Sequence, residues 1–123
     1  MATIRQTIRK IQKALSPDLL SKAYENESAN HPVAGHCYIA AEALFHVLGG
    51  KRAGLIAYVA RDPEGGTHWW VQDAKGKILD PTKEQYTAFG KEPPYHVGRG
   101  AGFLTKRPSR RAQVILDRAG LAA

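Results

Sequence analysis

Three side chains able to do acyl chemistry stand in order along this chain: Cys37, His68 and Asp80. Cys37, the only cysteine, lies in Gly35-His36-Cys37-Tyr38-Ile39-Ala40-Ala41, His68 in Thr67-His68-Trp69-Trp70-Val71, and Asp80 in Ile78-Leu79-Asp80-Pro81-Thr82. A thiol in the first turn of a helix meets unpaired backbone N–H groups and the positive end of the dipole. Both favour thiolate, the reactive form. The Cys37 N–H is then also a candidate donor to a developing oxyanion. A histidine on a neighbouring strand can take the thiol proton and later protonate a leaving group. A carboxylate on the second ring nitrogen would fix the tautomer. Taken singly, each residue has a plainer reading: Cys37 as a small core residue, His68 as a hydrogen-bonded strand residue, Asp80 as a turn former before proline. Only their joint order points to a triad.

The surrounding elements must place these groups. Ile4, Ile8, Ile11 and Leu15 recur at helical spacing behind Thr3, which predicts a capped amphipathic helix to about Leu15. Ser16-Pro17-Asp18 starts a short second helix to about Tyr24, and residues 25–34 read as a loop. The central helix runs from about His36 to Leu48, with Cys37, Ala40, Ala41, Leu44 and Leu48 on one stripe. That stripe turns Cys37 toward the sheet. Gly35 leaves the approach to the thiol uncrowded. His36, about 100° away around the helix, is expected at the surface or the rim of a substrate cleft, and His46 points away from Cys37.

Strands are predicted at Leu55–Arg61, Thr67–Gln72 and Lys77–Asp80, the last two joined by the Asp73-Ala74-Lys75-Gly76 turn. Alternation places His68, Trp70 and Gln72 on one face and Trp69 and Val71 on the other, so one tryptophan is core and the other a candidate cleft wall. Lys83 to Phe89 reads as a short helix, and Gly90 to Gly102, with four glycines and two prolines, as an irregular surface loop. Ser109 caps a last helix with Ala112, Ile115 and Leu116 inward. Helices, an antiparallel meander and a helix make a single α+β domain over residues 1–123.

Residues 35–82 resemble the transglutaminase-like core of the papain-like cysteine-enzyme fold. The resemblance rests on Gly35-His36-Cys37 before an alanine-rich helix, His68-Trp69-Trp70 on a strand, and Asp80-Pro81-Thr82 closing the next strand. It implies Cys37 as nucleophile, His68 as base and Asp80 as orienting acid, with an acyl-thioester formed on an amide, isopeptide or ester of a protein, peptide or small molecule. In papain-like enzymes a polar side chain before the cysteine completes the oxyanion hole; here Asn30 and His31 stand in that region in place of the usual Gln. The chain is much smaller than transglutaminases and shows no calcium site, which favours hydrolysis, deamidation or simple acyl transfer over cross-linking. The whole chain is also similar to small phage and prophage proteins, which implies a bacterial host cytoplasm and no particular substrate.

Composition bounds the alternatives. The 123 residues carry a net charge of +7 from 18 basic and 11 acidic side chains. The surplus lies at the ends: Arg5, Arg9, Lys10 and Lys13, then Arg99, Lys106, Arg107, Arg110, Arg111 and Arg118. A second function class therefore stays open, in which the basic ends bind nucleic acid or a host protein and the core is not catalytic. One cysteine allows no internal disulfide, and no apolar run approaches the roughly 20 residues of a membrane span. A soluble cytoplasmic protein with no membrane partner is expected. Cys37, His31, His36, His46, His68 and His96 fit no closed zinc spacing, and Gly98-Arg99-Gly100-Ala101-Gly102 lacks the features of a phosphate loop. No metal or other cofactor is expected.

Overall fold

The computed structural model describes residues 3–16, 36–63, 66–103 and 106–122. Among these residues, four helices and one antiparallel sheet of four strands make up an α+β unit. Helix α1, Ile4–Ala14, begins at a reciprocal cap: Gln6 N–H donates to the Thr3 hydroxyl at 3.1 Å, and Thr3 N–H to the Gln6 side chain at 2.8 Å. Ile11 and Ala14 turn inward, whereas Ile4, at the start of the expected stripe, is 42% exposed. The expected helix at Pro17–Tyr24 and loop at 25–34 lie outside the described residues, as do Asn30, His31 and Gly35.

Helix α2, Cys37–Val47, is apolar nearly all round, and its residues from Ile39 to Leu44 are buried. Such a helix belongs at the centre of a core. It packs against α1, against the sheet and against helix α4, Arg110–Ala119, whose Ala112, Ile115 and Leu116 are fully buried. Glu42, buried mid-helix in α2, pins α4. It accepts from the Ser109 backbone N–H at 2.6 Å and from its hydroxyl at 2.8 Å, at the α4 N-terminus where a carboxylate is favoured.

The sheet consists of β1 (Ile56–Arg61), β2 (Thr67–Gln72), β3 (Ile78–Leu79) and β4 (Arg99–Ala101), in the order β3-β2-β1-β4. Ala57 pairs with Val71 and Val59 with Trp69, so these four share the face that meets the helices. Tyr58, Ala60, His68 and Trp70 take the opposite face. Leu79 pairs with Val71 on the helix face. By alternation Asp80, one residue on, projects on the side of His68.

The stretch from Gly90 to Gly102 is not simply irregular. It contains a tight turn at Tyr95–Val97 and then β4, which pairs with Ala57 to Val59 of β1. Glycines at 98, 100 and 102 remove the alternating side chains that mark a strand, and the strand exists because β1 offers it a free edge. Helix α3, Glu84–Thr87, and the Tyr95 turn bring Tyr86 and Tyr95 onto the His68 face. No helix among the described residues is long and apolar enough to cross a membrane.

Candidate active site

The site starts from strand alternation. His68 points to the face opposite the helices and is fully buried there. Its Nε2 donates to Asp80 Oδ2 at 2.6 Å. Asp80 is held on both oxygens. Oδ1 accepts from the Thr82 N–H at 3.0 Å and faces its hydroxyl at 3.4 Å, while Oδ2 also accepts from the Tyr95 hydroxyl at 2.8 Å. Gln12 of α1 donates to the Pro81 carbonyl at 2.9 Å, tying the Asp80-Pro81-Thr82 turn to the helical layer.

Cys37 reaches this face by its position at a helix end. The body of α2 lies on the other side of the sheet, against Trp69 and Val71. Strand β3 pairs only with Val71 and Gln72, so the outer edge of β2 carries no β3 partner at Thr67. Cys37, the first residue of α2, lies at that edge, its thiol directed at the Thr67 carbonyl at 3.5 Å. The shared stripe with Ala40 and Leu44 does not bring Cys37 to His68; the end of the helix does. As the first helical residue, Cys37 keeps a backbone N–H without an intrahelical acceptor. The residue is 8% exposed.

Electrostatics joins the three groups. Burial by itself would lower the His68 pKa. The hydrogen bond and charge of Asp80, together with the nearness of Cys37, outweigh it and raise the value from 6.5 to about 9. His68 thus holds its proton at neutral pH between a carboxylate and the thiol. Its Nδ1 has no hydrogen-bond partner among the described residues, which leaves that nitrogen for exchange with the thiol.

An aromatic box fixes the imidazole. Trp70 stacks on it with ring centres 5.6 Å apart, and Tyr86 meets it edge-on at 4.9 Å. Tyr95 packs edge-on against Trp70 at 5.0 Å. Tyr86 donates a short hydrogen bond to Asp62. Burial, then the neighbouring carboxylates (Asp62 for Tyr86, Asp80 for Tyr95), push both phenol pKa values well above the ordinary range, so both stay donors.

Cys37, His68 and Asp80 are therefore brought together, and two expected cleft residues are not at a surface. His36 is fully buried, its Nε2 2.8 Å from the Ser16 carbonyl, because the end of α1 packs over it. Trp70 is fully buried beneath His68 and forms no cleft wall. Trp69 is half-buried on the helix face between Tyr38 and Phe103, away from His68. Sequence reasoning misses Tyr86 and Tyr95. A tyrosine in a glycine- and proline-rich stretch carries no period, and only the preceding Pro93-Pro94 hints at a constrained turn. Among the described residues no cluster of His, Cys, Asp and Glu could hold a metal.

No family model matches the chain, and neither the curated proteins nor the solved structures yield a match.

Proposed function

We propose that this protein is a cysteine hydrolase or acyltransferase built on a transglutaminase-like, papain-like core, with Cys37, His68 and Asp80 as its triad. The observation that carries the reading is the buried His68–Asp80 hydrogen bond of 2.6 Å, with Cys37 acting on the same ring. In the first half-reaction the Cys37 sulfur, its proton held by His68, adds to the carbonyl carbon of an amide or ester. The carbonyl oxygen gathers charge near the Cys37 N–H. The carbon–nitrogen or carbon–oxygen bond breaks as His68 delivers its proton to the departing amine or alcohol, leaving an acyl-thioester. In the second, His68 removes a proton from water or an acceptor amine, which attacks the thioester and releases the sulfur. Asp80 remains ionised and holds the ring throughout.

Iodoacetamide tests this reading, with mass spectrometry counting the adducts on intact protein. Alkylation of Cys37 at pH 6 should run at least about tenfold faster than that of a free thiol, whose pKa lies near 8.5. His68→Gln should bring the rate down to that of an ordinary thiol. An ordinary rate in the unaltered protein would end the catalytic reading.

A second reading has one specific observation in its favour. Helices α1 and α4 pack side by side, and Arg118 of α4 donates to the Ser16 hydroxyl at 2.6 Å. Lys10 and Lys13 of α1 and Arg118 of α4 thereby share one face, lining a common cleft of about 290 Å³. Such a face suits nucleic acid.

A further inference from the structure

A separate and larger cleft lies at the far end of α2. Its volume is about 1080 Å³, just above the roughly 300–1,000 Å³ common for small-molecule sites. Phe45, Leu55 and Phe103 contribute apolar and aromatic surface, with the Phe45 and Phe103 rings 5.3 Å apart. Lys51, Arg52 and Lys106, all exposed, are the charged residues of its lining, and among the described residues no acidic one lines it. His46 shares the wall, and its Nε2 has no hydrogen-bond partner among the described residues. Cys37 and His46 are nine residues apart on one helix, roughly 14 Å along its axis, so this is not the thiol's own cleft.

An apolar floor under three cations favours one kind of occupant. A neutral apolar molecule would leave the cations without counter-charge, and a fully hydrated anion would gain nothing from the phenylalanines. A molecule with an apolar body and a single negative head satisfies both. We propose that this cleft binds a small amphipathic anion, an acyl or aryl body ending in a carboxylate. The apolar part lies on Phe45 and Phe103, and the carboxylate faces Lys51, Arg52 and Lys106. The proposal does not depend on whether Cys37 is catalytic.

The probes are 8-anilinonaphthalene-1-sulfonate, followed by fluorescence on the full chain, and decanoate as competitor. One saturable site is expected, emptied by decanoate and at least about tenfold less well by decanol, since the head group contributes through charge. Lys51→Glu with Lys106→Glu should weaken probe binding about tenfold or more, while Cys37→Ser leaves it unchanged. Both lysines are exposed, and melting curves check that the variant is folded. If that variant does not fold, Lys51→Ala with Lys106→Ala, expected to weaken binding several-fold, carries the test. No saturable binding, equal displacement by decanol, or affinity insensitive to the lysine changes would each overturn the proposal. Displacement by a short oligonucleotide but not by decanoate would overturn it too, in favour of a nucleic-acid groove.

Discussion

At the scale of single residues, His68 carries the most consequence. Its folded-state pKa, about 9, exceeds the 6.5 expected of an unfolded chain. Folding therefore takes up a proton between these values. The protonated pair adds its full stability below pH 6.5, and that stability is lost as pH rises through 9. The size is on the order of 3 kcal/mol, from the rise to about 9. Urea midpoints should accordingly fall between pH 6.5 and 9.5. Asp80→Asn removes the charge that holds the proton and should flatten most of that slope. A midpoint that stays level in the unaltered protein would contradict the assignment. Tyr95 belongs to the same unit, because its hydroxyl occupies the Asp80 oxygen that His68 uses.

At the scale of elements, the approach to β4 holds the aromatic box closed. Gly98 has φ of −68°, which any residue can adopt, so the demand for glycine there is steric. A Cβ at this position would stand 2.5 Å from two carbons of the Trp70 ring. Trp70 has little freedom to yield, being stacked on Tyr58 and His68 and packed against Tyr95. Gly98→Ala should therefore destabilise by about 1–3 kcal/mol and shift tryptophan fluorescence as the indole is displaced. Gly102→Ala is the control. Among the described residues nothing lies within 4 Å of a Cβ built there, and the change should stay within about 0.5 kcal/mol. Equal effects of the two changes would show that the contact with Trp70 is not what excludes a side chain.

At the scale of the whole molecule, α2 covers one sheet face with α1 and α4 packed on α2, and α3 and the Tyr95 turn lie over His68 on the other. This arrangement also brings Lys10 and Lys13 of α1 beside Arg118 of α4. If the α1–α4 face binds nucleic acid, affinity for a short duplex should fall steeply between about 50 and 200 mM salt. Lys10→Glu with Lys13→Glu should reduce the slope of log affinity against log salt by roughly 2, about 0.9 for each phosphate left without its lysine. Fluorescence anisotropy reads both. No binding at low salt would remove the second reading.

Much of this was legible in the chain itself. Helical periods mark α1 and α4 because each buries one side, whereas α2, β1 and β2, buried on more than one side, are legible from their apolar runs. The order Cys37, His68, Asp80 and the alternation that separates His68 from Trp69 are also properties of sequence. Other features depend on packing between distant segments. Neither His36 nor Trp70 shows its burial in sequence, since each is covered by a partner far along the chain, the end of α1 for one and the Tyr95 turn for the other. Strand β4 and Tyr95 lie in a glycine-rich stretch with no period of its own. The catalytic candidates show the division most clearly. Periodicity could place Cys37 on a face of its helix. That β3 stops short of Thr67, so that the thiol at the end of α2 meets the edge of β2 next to His68, was decided only by strand pairing in three dimensions.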